Sequence, residues 1–176
     1  MINTIHISPL QSQDIEELVT LVNSAYRGEA SKKGWTTEAD LLEGNLRIDG
    51  PSLKYYYKKP GATVLVYKSA ENKLTGCVYL QQENNQLYLG MLTVSPGAQA
   101  QGIGKQLLYA AESHAKKINC TAIVMNVISV RHELIAWYER HGYLNTGETK
   151  PFPKDVKFGK PVQALEFILL IKELAV

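Results

Sequence analysis

Residues Leu87 to Lys117 read LYLGMLTVSPGAQAQGIGKQLLYAAESHAKK. The change of hydrophobic period inside that stretch decides the fold. Leu87 to Val94 is almost wholly apolar, the composition of a strand covered on both faces. Ser95-Pro96-Gly97 stops it, because proline cannot donate to a ladder and glycine opens turn geometry. From Ile103 the apolar residues recur at Leu107, Ala111, Ala115 and Ile118, one face of a helix. Between strand and helix lies Gln99-Ala100-Gln101-Gly102-Ile103-Gly104. Its two glycines let a backbone pass close to a ligand, and the helix aims its first unpaired N–H groups at the same place. That combination is an anion site suited to phosphate.

Several readings compete for the loop. A dinucleotide fingerprint wants a third glycine three residues after Gly104, where Leu107 stands. A nucleotide P-loop wants lysine after the second glycine; Gly97 and Gly102 have the spacing, but Ile103 follows. A helix that happens to begin after a glycine-rich turn is the plain alternative. The remaining reading is by resemblance: Gln99, Gly102 and Gly104, led in by Val94-Ser95-Pro96, resemble the pyrophosphate loop of the GNAT N-acetyltransferase superfamily. Its signature is Gln or Arg, two residues, Gly, any residue, then Gly or Ala.

The bulk composition narrows the field. With 176 residues the chain is expected to form one domain, 1–176, large enough to bury a core. At 45% hydrophobic and 20% charged it has the make-up of a soluble globule. A net charge of +2 is too small to argue for a nucleic-acid partner, and Lys58-Lys59 and Lys116-Lys117 read as solvated pairs. Cys77 and Cys120 sit in apolar segments without metal-ligand or redox spacing, as core thiols of a reducing compartment do. MINTIHISPL has neither a positive leader nor a long apolar core, and the run Ala164–Ile171 is broken by Glu166 and too short to span a bilayer. The expectation is a cytoplasmic protein with no metal and no membrane partner.

In chain order, Thr4–Ser8 reads as a short strand ended by Pro9. Ile15, Leu18, Val19, Val22 and Ala25 mark a helix that Gly28 stops. Thr37 followed by Asp40 is a near capping box and predicts a second helix from Glu38 to about Leu46, with Leu41, Leu42 and Leu46 inward. Ala62–Tyr67, Leu74–Leu80 and the strand opening the central stretch form an antiparallel meander. Thr121–Ile128 is a strand reached through a helix, hence parallel to its predecessor by a right-handed crossover. Glu133–His141 is a helix, Gly142 caps it, Tyr143 opens a strand, and after a proline-rich loop Val162–Ile171 closes the chain.

A second motif strengthens the resemblance. Leu134-Ile135-Ala136-Trp137-Tyr138-Glu139-Arg140-His141-Gly142-Tyr143 is similar to the later GNAT helix and its Gly-Phe or Gly-Tyr end, with Arg131 where an Asn is usual. The likeness runs from about Leu74 to Tyr143. Ala-Tyr-Arg-Gly, Gly-Trp-Thr-Thr-Glu-Ala-Asp-Leu-Leu and Thr-Gly-Glu-x-x-Pro-Phe-Pro further resemble a group of small GNAT proteins. The fold so implied is α/β: a mixed, mostly antiparallel sheet of six or seven strands with helices on both faces.

The function implied is acetyl-CoA-dependent N-acetylation of the amine of a small molecule or amino-acid-like acceptor by direct attack. The loop Gln99, Ala100, Gln101, Gly102, Ile103, Gly104 and Lys105 is assigned the pyrophosphate of coenzyme A. Leu92, Thr93 and Val94 offer a strand edge to the pantetheine amides. By resemblance the Leu92 N–H meets the thioester carbonyl and would stabilise its developing charge, an effect of roughly 3 kcal/mol in comparable sites. Tyr138 matches the family's proton donor to the leaving sulfur, and a phenol of pKa about 10 suits a thiolate; it also reads as an ordinary core aromatic.

No general base is assigned. The central strand Tyr88–Leu92 has no carboxylate where many family members carry glutamate, and Glu83, His132 and Glu133 are weak candidates, so a base acting through water, or none, stays open. For the acceptor, Tyr26, Arg27 and Trp35 are the candidates. Arg27 with Arg131 could clamp a carboxylate, or both could be solvated surface, and Arg131 could simply lie beside pantetheine. Trp35 either walls the acceptor pocket or staples the second helix. The alternatives in function are a non-catalytic acyl-CoA-binding or sensing module and a protein or peptide N-acetyltransferase. An exposed sheet edge near the C-terminus is compatible with a homodimer.

Overall fold

The computed structural model describes residues 6–175. Strand β1 (Ile7–Pro9) is followed by helix α1 (Ile15–Tyr26) and a single-turn helix α2 (Gly28–Ser31). The two-residue β2 (Leu42–Glu43) precedes α3 (Gly50–Tyr57). The meander β3 (Ala62–Lys68), β4 (Leu74–Glu83) and β5 (Gln86–Val94) leads into α4 (Ile103–Lys117). Then come β6 (Ala122–Ile128), α5 (His132–Arg140), β7 (Leu144–Pro151), β8 (Lys160–Pro161) and β9 (Glu166–Glu173).

Seven strands form one sheet in the order β1-β3-β4-β5-β6-β9-β7, and β2 pairs with β8 beside it. Every pair in the main sheet is antiparallel except β5–β6. That one follows from the α4 crossover. Helices cover both faces. Leu18, Val22 and Ala25 of α1 and Leu53 of α3 pack with Val64, Val66 and Cys77. Leu107, Ala111 and Ala115 of α4 and Leu134 and Ile135 of α5 pack on the other face with Val78, Leu80, Leu87 and Ile123. The inward residues of β3 alternate between these layers, as a strand's two-residue period requires.

Several sequence expectations need correction. Thr4 and Ile5 lie outside the described residues; the strand there runs Ile7–Pro9, and Pro9 pairs with Leu65 instead of ending it. No helix forms over 38–46. Leu41 and Leu42 donate to the Glu38 carbonyl at 2.9 and 3.0 Å, one turn only. Leu42 then enters β2 opposite Pro161, and Gly44 turns the chain at φ +109°. The helix is α3, whose signals were present: the Asp49 carboxylate accepts from Ser52 N–H at 2.8 Å, with Pro51 in the first turn. The closing strand starts at Glu166, since Val162 N–H is drawn to the Leu41 carbonyl at 3.0 Å. β7 begins at Leu144 and forms one edge of the sheet.

Candidate active site

The site begins as a fault in the central ladder. On β4, Tyr79 faces Gly90 and Cys77 faces Thr93, so Met91 and Leu92 together stand opposite Val78. This is a β-bulge, with Met91 in the left-handed region at φ +52°. The bulge bends β5 away from β6. Only Gln86, Leu87 and Tyr88 pair with β6, and the two strands diverge beyond them. Leu92 therefore has no register partner on either neighbouring strand. The exposed carbonyls are taken by side chains: the Thr93 hydroxyl donates to Met91 at 3.0 Å, and the buried Tyr26 hydroxyl of α1 donates to Leu92.

Below the divergence the chain builds a glycine-rich cradle. Ala100 and Gly102 both adopt positive φ, +66° and +77°, and α4 starts from Gly102 without a side-chain cap. Its first N–H groups are thus unspent, at the positive end of a fifteen-residue helix. A Cβ built on Gly102 meets nothing within 4 Å, so that glycine answers to backbone conformation and open space. Gly104 differs: a Cβ there would come within 3.3 Å of the Trp137 indole. The Gln99 side chain ties the cradle to an earlier loop. It accepts from Trp35 N–H at 3.0 Å and donates to the Thr36 hydroxyl at 3.0 Å and the Val94 carbonyl at 3.2 Å.

Two cavities meet at the divergence. The larger, of about 610 Å³, runs from the cradle past Val94 and Trp137 to Leu92 and Tyr138. The smaller, of about 70 Å³, opens on the other side among Glu38, Arg47, Asn126 and Arg131. Tyr26, Leu92, Leu134 and Tyr138 line both and form their shared wall. Tyr138 is buried, and burial, reinforced by Tyr26 and Tyr143, holds its phenol well above the usual tyrosine range despite the opposing Arg131 guanidinium.

The sequence-predicted residues divide between these places. Leu92, Val94, Gln99, Ala100, Gly102, Ile103, Gly104, Lys105 and Tyr138 line the larger cavity. Thr93 is buried with its hydroxyl spent on Met91, and Gln101 is exposed; neither lines either cavity. Trp35 lines the larger cavity, its ring 6.0 Å from that of Trp137, and with no helix over 38–46 it staples none there. Arg131 sits on the smaller cavity and donates to the Thr36 carbonyl at 2.5 Å. Arg27 lines neither cavity. It is buried, donating to the carbonyls of Leu46 and Phe158 and paired with Glu38 at 3.4 Å.

Sequence reasoning missed Glu38, Arg47 and Asn126. Glu38 is buried at 6% exposure, with Arg131 at 3.8 Å and Arg47 at 3.9 Å besides Arg27. Reading 38–46 as a helix hid it on a presumed surface. Asn126 left a signal: one amide inside the apolar strand Ala-Ile-Val-Met-Asn-Val-Ile. Its Oδ1 is buried without a partner. Among the described residues, no helix is long and apolar enough to cross a membrane, and no group of three His, Cys, Asp or Glu could hold a metal.

Comparison with known proteins agrees with this geometry. A search of curated protein sequences found no match. Among solved structures, the ribosomal-protein-S18-alanine N-acetyltransferase from Escherichia coli superposes with a TM-score of 0.71 at 14% identity, covering 97% of this chain and 94% of that one. Ribosomal-protein-alanine N-acetyltransferase from Brucella melitensis gives 0.71 at 16% identity, covering 96% and 99%. A GNAT-family acetyltransferase from Staphylococcus aureus Mu50 gives 0.68 at 18% identity, covering 96% and 98%. These likenesses establish the fold. The sequence profile of the Acetyltransferase (GNAT) family matches residues 15–143, nearly three quarters of the chain. The chain belongs to the GNAT acetyltransferase family.

Proposed function

We propose that the protein transfers an acetyl group from acetyl-CoA to the amine of a small molecule, with the donor in the larger cavity and the acceptor entering from the smaller. The carrying observation is the wall that the two cavities share at Leu92 and Tyr138. The donor's pyrophosphate suits the uncapped N-terminus of α4 and the open face of Gly102. Its extended amide arm suits the unpaired edge of β5.

Acetyl-CoA supplies an activated thioester, and this chain's residues supply the setting for its cleavage. The Leu92 amide, in the bulge, is suited to donate to the carbonyl oxygen as negative charge builds there, the situation in which a fixed N–H is most effective. The amine, having lost one proton to water, attacks the carbonyl carbon. As the C–N bond forms the C–S bond breaks, nitrogen sheds a second proton, and the Tyr138 hydroxyl gives its proton to sulfur and recovers one from solvent. Burial favours that role, because a phenol whose ionised form is disfavoured stays protonated until a thiolate appears beside it. A module that only bound acyl-CoA would have no use for a buried phenol between two cavities. The two buried free thiols, Cys77 and Cys120, suit a reducing, cytoplasmic setting.

Thiol release from acetyl-CoA, measured against amino acids, polyamines, aminoglycosides and short peptides, tests the reading. Turnover with at least one amine is expected. Tyr138→Phe should lower kcat by about 10²-fold while leaving CoA affinity unchanged. Equal turnover in both proteins would remove Tyr138 as the acid, and silence across every amine would remove the enzymatic reading.

A further inference from the structure

The smaller cavity has a charge balance that its own residues do not close. Three guanidiniums, Arg27, Arg47 and Arg131, surround the single Glu38 carboxylate, leaving two positive charges in excess. Arg27 turns its Nη donors to Leu46, Phe158 and Glu38, its Nε is buried without a partner, and it lines neither cavity. Arg131 spends one Nη on the Thr36 carbonyl and keeps its remaining donors, and Arg47 makes no hydrogen bond to Glu38. Arg47 and Arg131 stand 3.9 and 3.8 Å from Glu38, beyond hydrogen-bond length, and both line the cavity. Arg131 is buried, at 9% side-chain exposure, while Arg47 is partly open to solvent at 34%, so an anion entering between them would meet one desolvated and one accessible cation. Planar guanidiniums match a carboxylate in particular.

A second observation fixes the other end of the ligand. Asn126 also lines this cavity, and its Oδ1 is buried without a hydrogen-bond partner. An ammonium or amine N–H would satisfy it. The cavity, at about 70 Å³, holds about two waters at liquid density, room for the charged head of a small ligand and not for a bulky one. Arg47, Gly90 and Met91 also line a third cavity of about 180 Å³ walled by Tyr56, Tyr79 and Tyr88, which gives a side chain somewhere to go.

We infer that the acceptor is a free α-amino acid, its carboxylate held by Arg47 and Arg131 and its amine directed by Asn126 toward the wall formed by Leu92 and Tyr138. This rests on the acetyl-transfer reading for its outcome, not for its binding. It separates free amino acids from peptide termini, because a peptide carries an amide where the amino acid carries its carboxylate. The transfer balances as above: the ammonium yields two protons in all, one taken up by sulfur by way of Tyr138 and one by water. The products are the N-acetylamino acid and free CoA.

The test uses the full chain saturated with CoA. The twenty L-amino acids and their α-amides are titrated by calorimetry, and the same compounds are assayed for thiol release with acetyl-CoA. At least one free amino acid is expected to bind and react, with its α-amide at least about tenfold poorer in both readouts. Arg47→Gln should lower kcat/KM for the acid by about 10- to 100-fold and leave that for the amide nearly unchanged. Arg47→Lys, which keeps the charge, should recover part of the loss, and an unchanged Tm shows that the variants fold. Amides used as well as acids, or equal losses for both in Arg47→Gln, would overturn the inference. So would turnover confined to polyamines or aminoglycosides, which would leave acetyl transfer standing. Acid-selective binding without any thiol release would uphold the amino-acid site and overturn the transfer reading instead.

Discussion

The hydroxyl of Tyr26, at the last turn of α1, donates to the carbonyl of Leu92 on the bulged strand, 66 positions away in sequence. The contact ties the first helix to the residue whose amide faces the proposed reaction. Tyr26→Phe keeps the ring and leaves a buried carbonyl unpaired, which costs about 1–3 kcal/mol. Thermal melts should show that loss as a lower Tm, and kcat should fall with it as the Leu92 amide loses its setting. A variant with wild-type Tm and wild-type kcat would show that the bond supports nothing.

Burial also gives the fold a defined response to alkali. It pushes the Cys77 thiol from 9.0 up to about 12 and the Tyr26 phenol from 10.0 up to about 12. The native state thus holds protons that the unfolded chain releases. Their stabilising contribution is complete below the unfolded pKa values and is lost as pH climbs through 9 and 10 toward 12. Each such group removes up to about 1.4 kcal/mol per pH unit in that window. Tm should be level near neutrality and fall above about pH 9. A Tm unchanged up to pH 10.5 would contradict the burial of these groups.

The two glycines of the cradle should respond differently to alanine. At Gly102 there is room for a methyl group but φ is +77°, so Gly102→Ala is expected to lose about 1–2 kcal/mol of stability. At Gly104 the φ is ordinary and the helix gains from alanine, roughly 0.8–1.0 kcal/mol, while the added carbon crowds Trp137 at 3.3 Å. Gly104→Ala should keep a near wild-type Tm yet bind CoA about tenfold more weakly, equivalent to about 1.4 kcal/mol. Melting and CoA titration of both variants separate the two roles.

Gln99 holds Trp35, Thr36 and Val94 together through one amide group. Gln99→Ala should free the segment at Trp35–Thr36, seen as faster hydrogen exchange at the Trp35 amide by about tenfold and as weaker CoA binding. Unchanged exchange at that amide would show that the segment is held by other contacts.

The strand, turn and helix of 87–117 were legible because hydrophobic period and turn chemistry agree there. The pairing order of β4, β5 and β6 followed from connection lengths. The bulge was not legible: nothing in Gly90-Met91-Leu92 announces that methionine will take φ +52°, since the conformation is set by contacts from Cys77, Thr93 and Tyr26. The expected helix at 38–46 failed for a related reason. Thr37 does cap a turn, its hydroxyl oxygen accepting from Ala39 N–H at 3.1 Å, but Glu38 is drawn among Arg27, Arg47 and Arg131 and the chain is diverted. Local patterns spoke for the proposed donor side, where one loop and one helix build the surface. The proposed acceptor side is assembled from residues near 26, 38, 47, 126 and 131, whose meeting is a property of the sheet.

The wall shared by the two cavities has a consequence for inhibitor design. Tyr26, Leu92, Leu134 and Tyr138 face both chambers at once, so only a short covalent bridge is needed to join an occupant of one to an occupant of the other. A single molecule coupling an acceptor's nitrogen to the sulfur of CoA would convert its second docking into an intramolecular event, with an avidity neither half has alone.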